Sequence, residues 1–585
     1  MIKKLFREML VTQIVSTMTV MLCMLIDSIM IGRFLGVDSM SAYGFATPLL
    51  LVFAALGSMI SAGVQIVCGK TIGNGDREGT DACYTAAMFL TVAISAVGLI
   101  LVFSLLKPIT RLLGAGAPSP DNPVAGLTTD YIKGFILGAP AFLCAQVMVP
   151  FLQLSGKRMR LITAVAAMTV SDIIFDLLNV FVFRGGTFGM GLASTLSYYI
   201  ALAIGLLAFF RKDCLFRFRF RLMRPRVFKE LLSYGVPTVI NQISTVLLVF
   251  LLNRLLEATA NGTVAVAAYS VISTIGNICY CFGTGIGSVA MMLASVFYTD
   301  RDRKSIRELV RLMTFYAILL DLAVTVIALL VAVPLVTLFL GDSTEAVQIA
   351  ASGLRLFVLS LVPSSLNSAF KNYYQGVNRI GFAELISVLQ NFVFPALFAF
   401  VLSRFLDITG IWLGFLCGEL FALAAFSIIV WCYRGRITLS ADAYSMLKPA
   451  FGTSEENCFE RSIRSEQDAI AASEDAVAFC RSRGLSPRES MLIGLCLEEM
   501  TVNIVTYGFR ADRKKHHVNV RLVLEDGARV LRIRDDCVNF DPIHYLKLHE
   551  SDDPTAHVGI RMVMKTAKDA NYLNSLGWNN LTLAF

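Results

Sequence analysis

Charged side chains are scarce in this chain. Only 16% of its 585 residues are Asp, Glu, Lys or Arg, whereas 56% are hydrophobic, and the mean hydropathy is +0.67. Soluble domains carry about a quarter charged residues. The shortage therefore excludes an ordinary soluble protein and indicates a chain that crosses a membrane many times. It ends near Gly435, beyond which the charge density is normal and no apolar run is long enough to span a bilayer.

The sequence also lacks the patterns of a disulfide or metal site, of a cleavable signal peptide and of a nucleic-acid-binding protein. The 13 cysteines are scattered, several inside apolar runs (Cys23, Cys68, Cys144), so we expect neither a disulfide framework nor a metal site. The first apolar run is too long for a signal peptide and lacks a small-residue cleavage site, so we expect no cleavable leader. The net charge of +8 comes from loops between apolar runs, so we expect no nucleic-acid partner.

Apolar runs fill the first three-quarters of the chain. A membrane-spanning helix needs roughly 20 apolar residues. We count twelve such runs, near 9–32, 45–68, 83–107, 130–153, 161–183, 188–210, 233–255, 265–297, 309–332, 347–370, 382–404 and 409–432.

Basic residues concentrate in alternate loops. They follow spans four (Lys157, Arg158), eight (Arg301, Arg303) and twelve, and they crowd the stretch 211–229, whereas the opposite loops contain few. Loops rich in Lys and Arg stay in the cytoplasm. We therefore expect a multi-pass protein of the inner (plasma) membrane with both termini in the cytoplasm.

The two halves of this region resemble each other. GRFLGVDSMSAYGFATPLL, from Gly32, aligns with ATANGTVAVAAYSVISTIG, from Ala258, at a shift of 226 residues, and the same shift places GNGDRE on TDRDRK. A looser match pairs LSGKRM with YQGVNR. We infer a duplication of six helices into two bundles, at 1–220 and 221–437, with the substrate path between them near the membrane midplane.

The motifs DSIMIGRFLG, GNGDREG and SGKRM and the glycine-rich start of span six together resemble the MATE (multidrug and toxin extrusion) family. The resemblance covers about residues 1–437. It implies an all-α fold of twelve membrane helices in a V-shaped pair of bundles. It also implies export of small organic, often cationic, compounds in exchange for protons or sodium.

Three carboxylates lie within the apolar spans of the first half. Asp27 belongs to span one, and Asp172 and Asp176 belong to span five, where a spacing of four places them on one helix face. A charge at mid-membrane costs about 2.5–3.5 kcal/mol, so such residues usually serve a function. Acids this close to one another favour binding of a proton or another cation. The sequence thus predicts an ion-coupling site.

The MATE resemblance assigns the same residues. In proton-coupled members an Asp of span one and an Asn/Asp pair of span five line the N-terminal bundle. Asp27 and Asp176 match the Asp positions, whereas Asp172 stands where Asn is more usual. The resemblance therefore favours protons over sodium but does not say which acid of the pair titrates.

The repeat limits the acidic cluster to one bundle, because Asp27 aligns with Asn253 and the span-five pair falls near Val393 and Leu397.

Other accounts of these acids stay open. Asp27 lies near a helix end, where it would meet only headgroups or water. Asp172 and Asp176 could likewise be solvated or capping acids. Asp321, Glu384 and Glu419 are isolated acids of the second half, for which we expect an ordinary structural role.

After a linker at 438–455, the segment 456–585 has the pattern of a compact α/β domain. We expect a helix over Gln467–Arg483 and a second helix, capped at Ser486-Pro487, that runs to about Tyr507. Strands follow at His517–Glu525 and Arg529–Arg534, joined by an Asp526-Gly527 hairpin, and a last strand at Asn580–Phe585.

The stretch LCLEEMTVNIVTYGF places Glu499 and Asn503 on one helix face, an arrangement that suits Mg²⁺ and an attacking hydroxyl. With IRDDCVNFDP and HVGIRMVMKTAKDA downstream, the segment resembles the GHKL ATPases, most closely the anti-sigma-factor serine kinases. The resemblance implies Glu499 as catalytic base, Asn503 as Mg²⁺ ligand, Asp535 as adenine contact, and Asp541 and Gly559 as further ATP-site residues. It also suggests a soluble regulatory partner resembling an anti-anti-sigma factor.

The tail departs from the D-x-G-x-G motif of that superfamily, since Cys537 and Asn539 replace its glycines. Cys rarely adopts a left-handed backbone. As alternatives to ATP binding we therefore expect either impaired nucleotide binding or a fold kept for protein contact alone.

For the whole chain the leading hypothesis is a cation-coupled exporter with a regulatory nucleotide-binding domain. A transporter-like receptor with kinase output is the second. A lipid-linked precursor flippase is the third, although the spans lack the cationic cluster expected for it.

Overall fold

The computed structural model describes residues 2–113, 115, 123–207, 209, 215–259, 262–340, 344–448, 451–510, 516–525, 527–549 and 557–585. Its first lobe, the N-lobe, contains eight helices: α1 Ile2–Met30, α2 Val37–Gly73, α3 Arg77–Ser104, α4 Leu106–Leu112, α5 Pro123–Ile136, α6 Ala139–Leu154, α7 Arg158–Leu178 and α8 Gly186–Leu207. Short π-helical turns extend α1 through Leu35 and α7 through Phe183.

The second lobe, the C-lobe, follows the stretch 215–224. Its helices are α9 Pro225–Glu257, α10 Gly262–Thr299, α11 Arg303–Leu340, α12 Thr344–Val358, α13 Leu361–Gly376, α14 Ile380–Val388 and α15 Phe394–Arg434. The break between α5 and α6 bends the chain by 51°, and the break between α12 and α13 bends it by 46°. Corresponding bends in the two lobes support the duplication.

The described helices account for the predicted spans. Nine are long and apolar enough to cross a membrane, and the two bent pairs bring the number to eleven. The segment from Ile380 to Arg434 is 55 residues long, about 80 Å at 1.5 Å per residue, which is far more than one bilayer. Its backbone breaks at Asp407 (φ 49°), so it forms two spans and the twelve-span fold is confirmed.

The segment beyond Arg434, called the tail below, lies at one end of the helical region, the tail side. The amino-terminal Lys4 bonds Asp536 of the tail, and the loops after α6 and α10 also contact it through Arg158 and Lys304. The expected basic loops after spans four and eight therefore do share a side, together with Lys4 and the tail.

The two lobes approach each other closely along α2. A side chain at Gly63 would place its Cβ 2.1 Å from the Leu231 carbonyl oxygen of α9, and one at Gly69 would collide with Ser295 of α10. The Ser295 hydroxyl donates to the carbonyl oxygen of Gln65 at 2.9 Å. Only residues without a side chain allow this backbone approach.

The apolar clusters show where the lobes join. One cluster, the joint cluster, combines residues of both lobes near the tail side, among them Ile72, Val296 and Phe297. Farther from the tail, one cluster belongs to the N-lobe and contains Tyr43, whereas another belongs to the C-lobe and contains Tyr269. The described part of the chain is therefore a V whose lobes meet on the tail side.

The tail consists of a five-stranded antiparallel sheet with helices on one face. The sheet has the order β1-β2-β3-β5-β4. The linker that precedes it contains a short helix, α16. The elements are α16 Ala441–Tyr444, β1 Cys458–Ile463, α17 Glu466–Ser482, α18 Pro487–Asn503, β2 Val518–Glu525, β3 Ala528–Asp535, α19 Pro542–Leu548, α20 Val558–Thr566, β4 Asp569–Ser575 and β5 Trp578–Ala584.

Side chains alternate between the two faces of the sheet. Val520, Leu531 and Leu583 face α17, α18 and α20 and form the core of the tail. The predicted helices, the Ser486 cap and three strands are confirmed, and Ser486 and Glu489 form a reciprocal capping box. Strands β1 and β4 were not predicted. Their sequences CFERSI and DANYLNS lack a clear alternation of apolar and polar residues.

The close approach at Gly63 yields a stability test. Replacing Gly63 with Ala should lower the melting temperature of the full-length protein in detergent, because overpacking a tight contact costs about 1–3 kcal/mol. Gly44, on the same helix, has no neighbouring atom within 4 Å of its added Cβ. Gly44→Ala should leave the melting temperature unchanged or raise it slightly. Equal melting temperatures for the two variants would contradict the contact.

Candidate functional sites

The structure brings the three predicted acids together inside the N-lobe. Asp27 on α1 and Asp172 and Asp176 on α7 are 9%, 4% and 1% exposed, and their carboxylates lie close enough to act on one another electrostatically. The burial of all three side chains argues against the alternative in which these acids meet water or headgroups.

The cluster has unused capacity for a cation. Asp27 Oδ1, Asp172 Oδ1 and both carboxylate oxygens of Asp176 are buried and form no hydrogen bond among the described residues. No described Lys or Arg pairs with them, whereas Cys23 and Ser197 lie beside Asp172. Three carboxylates in an apolar surrounding are costly unless a proton or another cation neutralises them.

The C-lobe does not repeat this cluster. Val393 and Leu397, near the repeat positions of the span-five acids, are 37% and 50% exposed, whereas Asp172 and Asp176 are buried. The two lobes therefore differ at these positions both in side-chain chemistry and in burial.

The C-lobe instead buries a polar network that the sequence analysis missed. Glu419 on α15 accepts hydrogen bonds from Asn367 Nδ2 (2.8 Å) and Gln390 Nε2 (3.3 Å). Lys371 on α13 lies close enough to act on Glu419 electrostatically and donates to Asn241 Oδ1 at 2.6 Å. The expectation of a lone, ordinary Glu419 is therefore incomplete. The sequence did contain a sign of this network, because Asn367 and Gln390 lie within apolar spans and buried amides need hydrogen-bond partners.

In the tail, the helix that carries the two predicted ATP-site residues Glu499 and Asn503 lies against the start of the helix that contains Gly559. Glu499 and Asn503 lie on α18, and Gly559 is in the first turn of α20. A Cβ at Gly559 would lie 2.2 Å from Glu499 Oε2, so the glycine leaves the space that this carboxylate occupies. The free backbone N–H groups of a helix start favour phosphate. The arrangement thus fits a nucleotide phosphate chain and its Mg²⁺.

Asp535 occupies the end of β3 on the helix-covered face. Its Oδ1 accepts hydrogen bonds from Asn579 Nδ2 (2.8 Å) and the Cys537 backbone N–H (3.0 Å). Burial raises the pKa of the Asp535 carboxyl, and these hydrogen bonds partly oppose the rise. A carboxylate held this way can accept from a base amino group, as the resemblance implies.

The two missing glycines do not strain the backbone. Neither Cys537 nor Asn539 has a positive φ, and the left-handed position in this region is His557 (φ 58°), which precedes α20. Cys537 Sγ packs against Gly508, and Asn539 accepts a hydrogen bond from the Tyr572 hydroxyl. The expected conformational conflict therefore does not arise in the described residues, and side chains fill the space that glycines would leave.

Asp541 caps a helix of the tail and lies near a basic residue of the N-lobe. Its Oδ1 accepts from the backbone N–H groups of Ile543 and His544, both at 3.0 Å, and so caps α19. Its other oxygen lies 3.8 Å from Arg77 of α3. Residues 550–556, which would form the rest of the phosphate-side loop, lie outside the described residues.

Comparison with known families identifies the helical region. The MatE family model matches residues 13–178 and again 237–401, one match in each lobe and together more than half of the chain. The chain belongs to the MatE family. The tail of this MATE protein matches the histidine kinase-like ATPase domain over residues 463–585.

Individual relatives match the MATE part at low identity. The multidrug export protein MepA of Staphylococcus aureus is 21% identical over 408 residues, which is 68% of this chain and 87% of MepA. A solved MATE transporter of Vibrio cholerae, VcmN, has a TM-score of 0.69 at 20% identity and covers 76% of this chain and 98% of its own. A multidrug resistance MATE transporter in an outward-facing conformation has a TM-score of 0.68 at 21% identity, with 72% and 94% covered.

The C-lobe network predicts an unequal cost for two glutamates. Glu419→Ala should destabilise the full-length protein by about 3–5 kcal/mol, because it leaves the buried Lys371 ammonium without its nearby negative charge. Glu384→Ala, on α14 of the same lobe, should change the stability by less than about 0.5 kcal/mol, since Glu384 is half-exposed and has no ion pair among the described residues. Thermal unfolding in detergent measures both. A similar loss for the two variants would refute the network's contribution.

Proposed function

We propose that the chain exports small organic, cationic compounds across the plasma membrane in exchange for a cation, with protons favoured over sodium. The tail side faces the cytoplasm, as the basic loops indicate. The names of the relatives support multidrug export, and the buried acid cluster supports cation coupling. The single observation that carries the proposal is the group of unpartnered carboxylate oxygens on Asp27, Asp172 and Asp176.

The coupling cycle follows from the charge of that cluster. When the cluster is ionised, its carboxylates repel one another and attract an organic cation or protons. Protons that enter from outside neutralise the acids, which removes that attraction and releases the organic cation there. The ion gradient drives this exchange, because one charge crossing 100 mV is worth about 2.3 kcal/mol.

Asp27→Asn tests the coupling. The amide preserves the side-chain shape but removes one negative charge, so export of a cationic dye from vesicles under an imposed pH gradient should fall to background. Asp38→Asn is the matched control, since Asp38 is exposed in the first turn of α2. Wild-type transport by Asp27→Asn would refute the assignment. A sodium gradient applied without a pH gradient separates the two coupling ions.

We further propose that the tail binds ATP with Mg²⁺ and regulates transport. Asp535 would contact the base, Asn503 the Mg²⁺ and Gly559 the phosphates. The fit of Glu499 against Gly559 supports this assignment.

Asp535→Ala removes the carboxylate that would contact the base. It should weaken binding of Mg-ATP to the full-length protein at least about tenfold, because a hydrogen bond to a charged group contributes about 1.5–3 kcal/mol. Asp569→Ala, at the exposed start of β4, should bind like wild type. Because the pKa of Asp535 is raised by burial, wild-type binding should weaken on acidification before an ordinary Asp would be protonated. Calorimetry as a function of pH measures both effects, and equal affinity of Asp535→Ala and wild type would contradict the site.

A receptor whose output is kinase activity on a soluble regulatory protein is the second candidate, and the contact of Glu499 with the start of α20 favours it. In that case Glu499→Ala should abolish phosphorylation of the partner while export persists, and Glu498→Ala, its neighbour on the same helix, should retain both. Absence of any phosphorylated protein with the wild-type chain would eliminate this candidate.

A further inference from the structure

Much of the face of the tail sheet opposite its helices lies against the transporter. It carries Arg521 on β2, Arg532 and Arg534 on β3, and Asn571 and Leu573 on β4. All of these lie against loops on the tail side of the transporter or against the joint cluster. The tail is therefore docked through this face of its sheet, with β2, β3 and β4 in contact with the transporter.

The C-lobe contributes a buried charge to this surface. Asp300, directly after α10, has a fully buried side chain that forms ion pairs with Arg532 and Arg534, the latter at 2.5 Å. Next to it, Asp302 Oδ2 lies 3.3 Å from Arg521 Nη1. The Asp300 carboxylate depends on the tail for its compensation, because a buried charge without partners is strongly unfavourable.

The N-lobe meets the same domain at the turn between β4 and β5. The Leu576 backbone N–H donates to the Leu154 carbonyl oxygen at 2.6 Å, and the Leu576 carbonyl accepts from Arg158 Nη2 at 2.9 Å. A Cβ at Gly156 would lie 2.4 Å from the Gly577 nitrogen, so the two glycine turns touch backbone to backbone. Asn571 also donates to the Gly75 carbonyl oxygen.

Apolar packing connects the two contacts. Leu573, Leu576 and Trp578 belong to the joint cluster that contains Ile72 of the N-lobe and Phe297 of the C-lobe. One rigid sheet thus holds a loop of each lobe at the place where the lobes meet.

We propose that the docked tail is a clasp that holds the two lobes together on the tail side and so stabilises the outward-facing state. Alternating access by rocking separates the lobes at this end. The loops at 73–76 and 154–158 then move away from Asp300, and the sheet must release at least one of them. The inference rests on the proposed function in two respects, since it takes rocking as the transport motion and the tail side as the cytoplasmic side.

The test measures the distance between the lobes of the full-length protein in lipid nanodiscs. Genetically encoded spin labels replace Met159 on α7, which is 71% exposed, and the exposed Cys432 on α15, one in each lobe at the tail side. In the wild type the short-distance population should dominate. Asp300→Arg places a positive charge against two arginines, and the long-distance population should rise at least about tenfold, as expected for a disrupted buried charge pair.

Three variants make the result specific. Asp300→Arg combined with Arg532→Asp exchanges the charges and should restore the short distance. Arg521→Ala, a milder change at Asp302, should shift the population in the same direction by less. Asp475→Arg disrupts an ion pair with Arg461 inside the tail and should leave the distance unchanged.

Equal distance distributions for wild type and Asp300→Arg, with both proteins folded by thermal unfolding, would overturn the clasp. If Asp300→Arg does not fold, Arg521→Ala decides the question, and wild-type distances in that variant would overturn the clasp. These outcomes are independent of export, since the distances report conformation, whereas failure of the coupling proposal would appear only in the Asp27→Asn transport assay.

Discussion

The close contact of α2 with α9 and α10 determines most of the architecture. Gly63 and Gly69 allow helices of opposite lobes to meet at backbone distance, so the lobes join on the tail side and their outer clusters stay separate. The same contact places the loop at Gly75 beside Asp300, and these loops of opposite lobes together form the platform on which the tail sheet lies.

The two lobes share a fold but differ in their buried charges. The N-lobe concentrates three acids with which no described Lys or Arg pairs, whereas the C-lobe buries Glu419 together with amides and Lys371. In a low-dielectric interior the first arrangement is costly until a cation neutralises it, whereas in the second arrangement hydrogen bonds and a nearby ammonium group offset the charge of Glu419. Duplication therefore supplied one scaffold twice, and the side chains gave the two halves different buried charges.

The tail is coupled to the transporter through its own candidate site as well as through its sheet. Asp536 and Asp541 belong to the stretch that follows Asp535, and they pair with Lys4 (3.0 Å) and Arg77 (3.8 Å) of the N-lobe. Burial alone would raise the pKa of Asp536, but the hydrogen bonds from the His517 N–H and from Lys4 outweigh it and lower that pKa, so the Asp536 carboxylate stays charged at neutral pH. The segment that would contact a nucleotide base is thus part of the interface between the domains.

Local sequence determined the spans, the repeat, the acids and most tail elements, because apolar run length, helical spacing and capping residues act over a few neighbours. It did not reveal β1 and β4, whose short polar strands form only by pairing in the sheet. It also did not reveal the partners of Glu419, which come from α13 and from the helical turn that precedes α15. It also could not show that Cys537 and Asn539 fit without backbone strain. Tertiary structure alone decided that Asp300 meets Arg532 and Arg534, since residues over 200 positions apart are brought together only by folding.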